Sequence, residues 1–342
     1  MPFEEVIGQE KTIRTLRNAL IQGTFPHAYL FYGSRGVGKY KVAISFAKAI
    51  LCGRREADFC GTCSACRRIE EGNHPDVLFV RPGVTKQGEG WYYDPDNGTI
   101  QIGQVRDVQR WISVRSFEGG YKIAIFEGAE RMNSPAANAL LKVLEEPPLE
   151  TLLILISPTK TQLPPTMTSR CQKIYFPPLS KEALQRVLEH SLEGSREEGM
   201  SSLMVALAEG SVGKAMSMDM EWVHVERRRW IEKLISVEEG RSKGEIPLIA
   251  EEISSSDRVQ EILDTFRAWY RDVLVFKETR EVSRLLNEDM KDRIVDLAER
   301  RTAEDCITRI RDIRNAMEDI GNRINPRLAL ENLLVGMQCG AF

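Results

Sequence analysis

The chain has 342 residues, 42% hydrophobic and 28% charged, the make-up of a globular protein with room for two or three domains. Its formal net charge is −3: residues 1–170 hold 21 basic and 18 acidic side chains, and residues 171–342 hold 26 and 32. Neither half is basic enough for a polycationic protein that coats nucleic acid by bulk charge, although local basic patches remain open.

In chain order, Glu10–Gln22 sets Ile13, Leu16, Ala19 and Leu20 at helical spacing. Ala28–Tyr32 is a short apolar run between Pro26 and Gly33, the profile of a buried strand, and helical periodicity resumes over Lys41–Leu51. A cysteine-rich excursion separates this helix from a second strand, Val77–Val80. Residues 83–100, rich in Gly, Asp and Asn, are expected to form an exposed loop or hairpin. A helix over Gly103–Ser113, a strand over Lys122–Phe126, a helix over Pro135–Glu146 stopped by Pro147-Pro148, and a strand over Leu152–Ile156 follow. Helices alternating with continuous apolar strands predict an α/β domain over about 1–172, built on a parallel sheet covered on both faces.

Beyond Pro177-Pro178 only helices are predicted, with short ones over Lys181–Leu192 and Ser201–Glu209. Val259, Ile262, Leu263, Phe266, Trp269, Val273 and Leu274 share one helical stripe, as do Cys306, Ile310, Ile313, Met317 and Ile320, and both stripes read as internal core. The first residues, Met1-Pro-Phe-Glu-Glu-Val-Ile7, lack the basic and apolar regions of a secretion signal. The longest aliphatic run is too short for a membrane span, so a cytoplasmic location without membrane partners is expected.

Between the first strand and its helix lies Gly33-Ser-Arg-Gly36-Val-Gly38-Lys39, which matches seven positions of a phosphate-binding loop. In such a loop glycines let backbone N–H groups turn toward phosphate oxygens, and the lysine adds charge. The eighth position calls for Ser or Thr to ligate Mg²⁺ and is Tyr40, whose phenol oxygen cannot fill the same coordination place. After the strand 122–126 the chain has Glu127 and Gly128 where an Asp-Glu pair would hold metal and orient water; Glu130 is expected to point elsewhere. Both departures predict a site that keeps the shape of an ATP site and binds ATP and Mg²⁺ weakly or not at all.

Cys52, Cys60, Cys63 and Cys66 offer four sulfurs within fifteen residues, a set suited to a closed tetrahedral Zn²⁺ site, with an iron–sulfur cluster as the alternative. Arg54, Arg55, Arg67 and Arg68 flank them and are expected to offset the charge of four thiolates.

Several segments in order along the chain resemble the δ′ subunits of bacterial DNA polymerase III clamp loaders, members of the AAA+ superfamily. They are Val6-Ile-Gly-Gln9, His27-Ala-Tyr-Leu30, the cysteine quartet, His74-Pro-Asp76, Asn138–Pro148, Ser169-Arg-Cys171 and Asn325–Asn332. The resemblance implies an AAA+ α/β module at 1–172 carrying the zinc insert at 52–66. It also implies a small helical lid at 173–217 and a helical collar at 218–342 through which five subunits form a ring. It implies as partners a γ/τ motor subunit, the δ subunit, the sliding clamp and primer–template DNA. Arg170 would then be an arginine finger reaching a neighbour's ATP, Thr159 a polar sensor (with Ser157 and Lys160 as competitors), and Lys214, in Gly210-Ser-Val-Gly-Lys-Ala215, a lid residue facing the γ-phosphate in place of the usual Arg. The resulting expectation is an ATPase-impaired stator that acts only within the polymerase III holoenzyme. An active γ/τ-type ATPase, a free-standing nucleotide kinase and a zinc-dependent scaffold are the rival readings.

Overall fold

A computed structural model describes residues 3, 6–53, 57–86, 90–93, 98–191, 202–219, 221–241, 244–321 and 324–339. They fall into two compact units, one within 1–196 plus 209–214, the other within 197–208 plus 215–342.

The first unit opens with α1 (Glu10–Gln22), β1 (Ala28–Tyr32) and α2 (Lys39–Leu51), continues through α3 (Ser64–Glu70) and β2 (Val77–Val80), and makes a hairpin of β3 (Gly83–Lys86) and β4 (Gly90–Tyr93). Then come α4 (Ile102–Ile112), β5 (Lys122–Glu127), α5 (Ser134–Glu145), β6 (Thr151–Ser157), the short α6 (Pro165–Thr168), β7 (Gln172–Tyr175) and α7 (Lys181–Ser191). Five strands form one parallel sheet in the order β2-β5-β6-β1-β7. Its inner strands β5, β6 and β1 are buried on both faces, as their continuous apolar runs require. Ala28 and Leu30 of β1 join Ala124, Phe126, Leu153 and Leu155 in a core shared with α4 and α5, whereas Tyr29, on the other face, meets Phe46 of α2 edge-on at 5.6 Å. This is the predicted α/β domain on a parallel sheet, and its last strand, β7, runs past residue 172.

The second unit is entirely helical in its described residues. Its elements are α8 (Ser202–Leu207), α9 (Val212–Ser217, which begins in the first unit), a wide turn at Trp222–Glu226, α10 (Arg227–Glu238), α11 (Ile246–Ser254), α12 (Val259–Thr279), α13 (Lys291–Arg300), α14 (Ala303–Gly321) and α15 (Pro326–Cys339). α12 packs on α10, α11, α13 and α14, and buries Ile262, Leu263, Phe266, Trp269 and Val273 of the predicted stripe. Asp272, fully buried, accepts the backbone N–H of Leu286 and Asn287 at 3.0 and 2.7 Å, which pins the α12–α13 connection. No helix among the described residues is long and apolar enough to cross a membrane.

Candidate nucleotide site, arginine finger and metal centre

The parallel sheet puts the turn after β1 at the carboxyl edge, where α2 begins, so Gly33–Lys39 forms a loop at a helix N-terminus. Gly36 takes φ +74° and has no room for a side chain, since a Cβ there would lie 2.3 Å from Ser211 Oγ. The segment after Gly210 packs directly on the loop: Ser211 Oγ donates to Arg35 O at 2.9 Å and Gly213 N to Gly36 O at 3.2 Å. Lys214 itself pairs with Glu209 at 3.3 Å. Gln9, buried at the start of the unit, donates to Val37 O and Pro177 O at 3.2 and 2.9 Å and so ties the loop to the segment that follows β7.

Lys39 is buried and folds back to donate to the carbonyls of Gly33 and of Ser34, the latter at 2.6 Å. Burial lowers its pKa to about 8, with Glu130 pulling up and Arg35 pushing down. Glu130 corrects an expectation: it stands on the turn Ala129–Arg131 with its carboxylate 3.8 Å from Arg35, beside the loop, and its Oε2 is buried without a hydrogen-bond partner in the described structure. Gly128, at φ +70°, turns the chain after β5 and thereby delivers it.

Tyr40 and Glu127 come together on a residue that the sequence reading missed. Arg81, one position past β2, donates through Nε to Glu127 Oε2 at 2.9 Å and through Nη2 to Tyr40 Oη at 2.5 Å. Its guanidinium lies 5.1 Å from the centre of the Tyr40 ring, and its carbonyl accepts from Gln104 Nε2 at 2.8 Å. Burial opposes the charge on Arg81, but Tyr40 and Glu127 outweigh it and hold its pKa above the ordinary arginine value. The signal was present in the strand register: Val80 pairs with Phe126, so the residues following them, Arg81 and Glu127, stand side by side. Glu127 and Tyr40 are thus already engaged by a cation of the chain itself. A divalent ion and a guanidinium sharing Glu127 at about 4 Å would repel by roughly 8 kcal/mol at an effective dielectric of 20, twice the unit-charge value.

Thr159 lies in the exposed connection after β6, its hydroxyl 3.2 Å from that of Thr161. Of its competitors, Lys160 is exposed and Ser157 is buried beside β1, opposite Tyr32 and donating to Thr159 O at 2.7 Å.

Arg170 sits elsewhere. β7 runs parallel to β1 with Gln172 opposite Tyr29, so Arg170 precedes the amino end of the edge strand while the phosphate loop follows the carboxyl end. The four steps along the chain from Gln172 to Phe176, which abuts Gly33, span roughly 13 Å at the rise of a parallel strand. The side chain is held from two sides: Nη1 donates to Thr166 O at 2.8 Å and Nη2 pairs with Glu145 at 2.8 Å. α5 delivers Glu145 because Asn133 caps its start, accepting from Ala136 N at 2.9 Å, Pro135 fits its first turn, and Leu140 and Leu144 bury the opposite side. Cys171 is buried, which pushes its thiol up to about 11 and makes it a packing residue.

The four predicted cysteine sulfurs converge within 4.8 Å of one another. Cys52 ends α2, Cys63 caps α3, and backbone N–H groups of Cys60, Cys63 and Cys66 point at sulfurs at 3.3–3.4 Å. N–H groups of the turn lower the Cys60 thiol to about 5, while burial raises that of Cys66. A soft, closed set of four sulfurs at this spacing fits structural zinc. Lys48 of α2 pairs with Glu70 of α3 and lies over the Phe59 ring at 5.2 Å, which joins the metal module to the helix that begins at the phosphate loop. Of the flanking arginines, Arg68 is committed to Glu118, Arg67 is exposed, and Arg54 and Arg55 lie outside the described residues.

Residues 8–180 match the family model described as DNA polymerase III, delta subunit, and residues 224–338 match DNA polymerase III, delta subunit, C terminal. The chain is 29% identical to DNA polymerase III subunit delta′ of Bacillus subtilis over 336 residues, 97% of each protein. It is 31% identical to the delta′ subunit of Pseudomonas aeruginosa over 274 residues, covering 78% of this chain and 76% of the relative. To the tau subunit of B. subtilis it is 33% identical over 220 residues, 63% of this chain and 37% of tau. Among solved structures, a gamma subunit-related protein of Thermotoga maritima aligns over 97% of this chain and all of its own, at 19% identity and a TM-score of 0.42.

Proposed function

The chain belongs to the δ′ family of DNA polymerase III clamp-loader subunits, and on that footing we propose that it is the ATPase-impaired stator of the loader, donating Arg170 to the ATP of a neighbouring motor subunit. The observation that carries this reading is the position of Arg170. It is held at the amino edge of the sheet, a strand's length from its own phosphate loop, with part of its surface open to a neighbour. An arginine that cannot reach its own site is suited to acting in trans. Such a residue stabilises charge on the transferred phosphoryl group and in GTPases is worth roughly 10³–10⁵ in rate.

The loop supports the other half of the proposal. Tyr40 and Glu127, at the positions of two metal ligands, are both engaged by Arg81, and Lys39 is turned onto loop carbonyls. The reading carries with it a γ/τ motor neighbour, a δ partner, a five-membered assembly around the sliding clamp and primer–template DNA, a collar built from the second unit, a lid role for the segment around Lys214, and a cytoplasmic setting. The 33% identity to tau favours an active motor of the γ/τ type as the alternative. The engaged Tyr40–Arg81–Glu127 group argues against it.

The test is reconstitution with δ and motor subunits, comparing the chain with its Arg170→Ala variant in a DNA-stimulated ATPase assay. Assembly should be unchanged, and turnover should fall by at least the share of the one site served by this arginine. An unchanged rate overturns the proposal.

A further inference from the structure

We propose that Arg81 is a built-in cation of the phosphate loop, taking the oxygen partners of a divalent ion and making any phosphate binding there independent of metal. This rests on the reading of the loop as catalytically impaired, and it supplies the physical cause of the impairment.

The side chains at the two metal-ligand positions are both held by one guanidinium, and the phenol of Tyr40 is in any case no substitute for the Ser or Thr hydroxyl. Glu127, the carboxylate that closes β5, accepts from Arg81 Nε at 2.9 Å. The only hydroxyl at the position after Lys39 is that of Tyr40, which accepts from Arg81 Nη2 at 2.5 Å. Arg81 is also fixed from behind, because its carbonyl is held by Gln104 and its backbone leaves β2 in register with β5. The other acid near the loop, Glu130, faces Arg35 and Lys39. Mg²⁺ demands near-octahedral oxygen ligands and gives up its waters reluctantly, so it does not displace an arginine that makes two hydrogen bonds and stacks on a ring. The fork of Arg81 places its charge once and permanently, where Mg²⁺ would arrive with the nucleotide.

The experiment follows thermal unfolding of the full chain with no ligand, ATP alone, Mg²⁺ alone and Mg-ATP. Buffer is freed of divalent ions on a resin, because a chelator would attack the cysteine site. For the natural chain the unfolding temperature in ATP should equal that in Mg-ATP, whether or not ATP shifts it. A Tyr40→Thr/Arg81→Ala double variant should gain an upward shift of about 3 °C or more in Mg-ATP alone. Should that variant not fold, Tyr40→Thr/Arg81→Gln, which removes the charge and keeps most of the arginine's volume, carries the same expectation. A natural chain that is stabilised only by Mg-ATP overturns the proposal, as does a folded variant that gains no metal-dependent shift. Phosphate release measured in the same samples separates the two levels. Metal-dependent binding without turnover sinks the assignment of Arg81 alone, and turnover by the natural chain sinks the reading of an impaired loop.

Discussion

Arg170 and Glu145 meet at 2.8 Å, and this contact joins the arginine before β7 to the last turn of α5. The guanidinium is therefore held before any partner arrives, which on the proposed role removes part of the entropy cost of placing it at a phosphate. Both side chains are partly exposed, so the pair contributes at most about 1 kcal/mol to the stability of the isolated chain. Glu145→Ala should leave the unfolding temperature almost unchanged, yet in the reconstituted loader the ATPase rate should fall between those of the natural chain and Arg170→Ala. A rate equal to the natural one would mean that Glu145 does not position the finger.

Zinc should be found at one ion per chain. Cys63→Ser should lose the metal and cost on the order of 3–5 kcal/mol, because the quartet closes the loop between α2 and α3. Metal analysis and thermal unfolding check this together.

The loop glycines should differ in a graded way. At Gly38, with φ +97° and open space around it, alanine should cost only the left-handed backbone strain of about 1–2 kcal/mol. At Gly36 the same strain is joined by a collision with Ser211, so Gly36→Ala should cost more and should expose 209–214 to limited proteolysis. Equal losses at the two positions would contradict the packing of Ser211 on the loop.

His74 should impose a pH dependence on stability. Burial holds its imidazole below the ordinary 6.5, against the opposing pull of Glu118 and Asp76 and with the help of Arg68. Above 6.5 it is neutral in folded and unfolded chains alike, and its contribution is complete. As pH falls through 6.5 the unfolded chain takes up a proton that the folded chain resists, so stability drops until the lower folded value is passed. Denaturant unfolding at a series of pH values should show this loss, and His74→Asn, which keeps an acceptor for the Asp76 N–H, should flatten it.

Much of this architecture was legible in the sequence because its strands are fully buried. Ala28–Tyr32, Lys122–Glu127 and Thr151–Ser157 have apolar runs bounded by polar or glycine positions, and each observed strand lies within two residues of its expected limits. β7 escaped because, as an edge strand, it leaves Gln172, Lys173 and Tyr175 exposed and buries only Ile174, too short an apolar signal to read as a strand. The cysteine quartet needed only spacing. Arg81 and Glu130 escaped for a different reason: Arg81 reaches Glu127 through strand register and Glu130 meets Arg35 across the fold, and neither pairing is local in sequence. Gln9 was quoted only as part of a family motif, and its role in tying Val37 to Pro177 depends on contacts 28 and 168 residues away.

The most direct test of the division between a silent loop and a donated arginine compares Arg170→Ala with Lys39→Met in the same reconstituted loader, by DNA-stimulated ATP turnover. Arg170→Ala should lower the rate while Lys39→Met, which keeps the buried volume and removes the loop's charge, leaves it unchanged. A rate that falls with Lys39→Met and holds with Arg170→Ala would mean that this chain burns its own ATP.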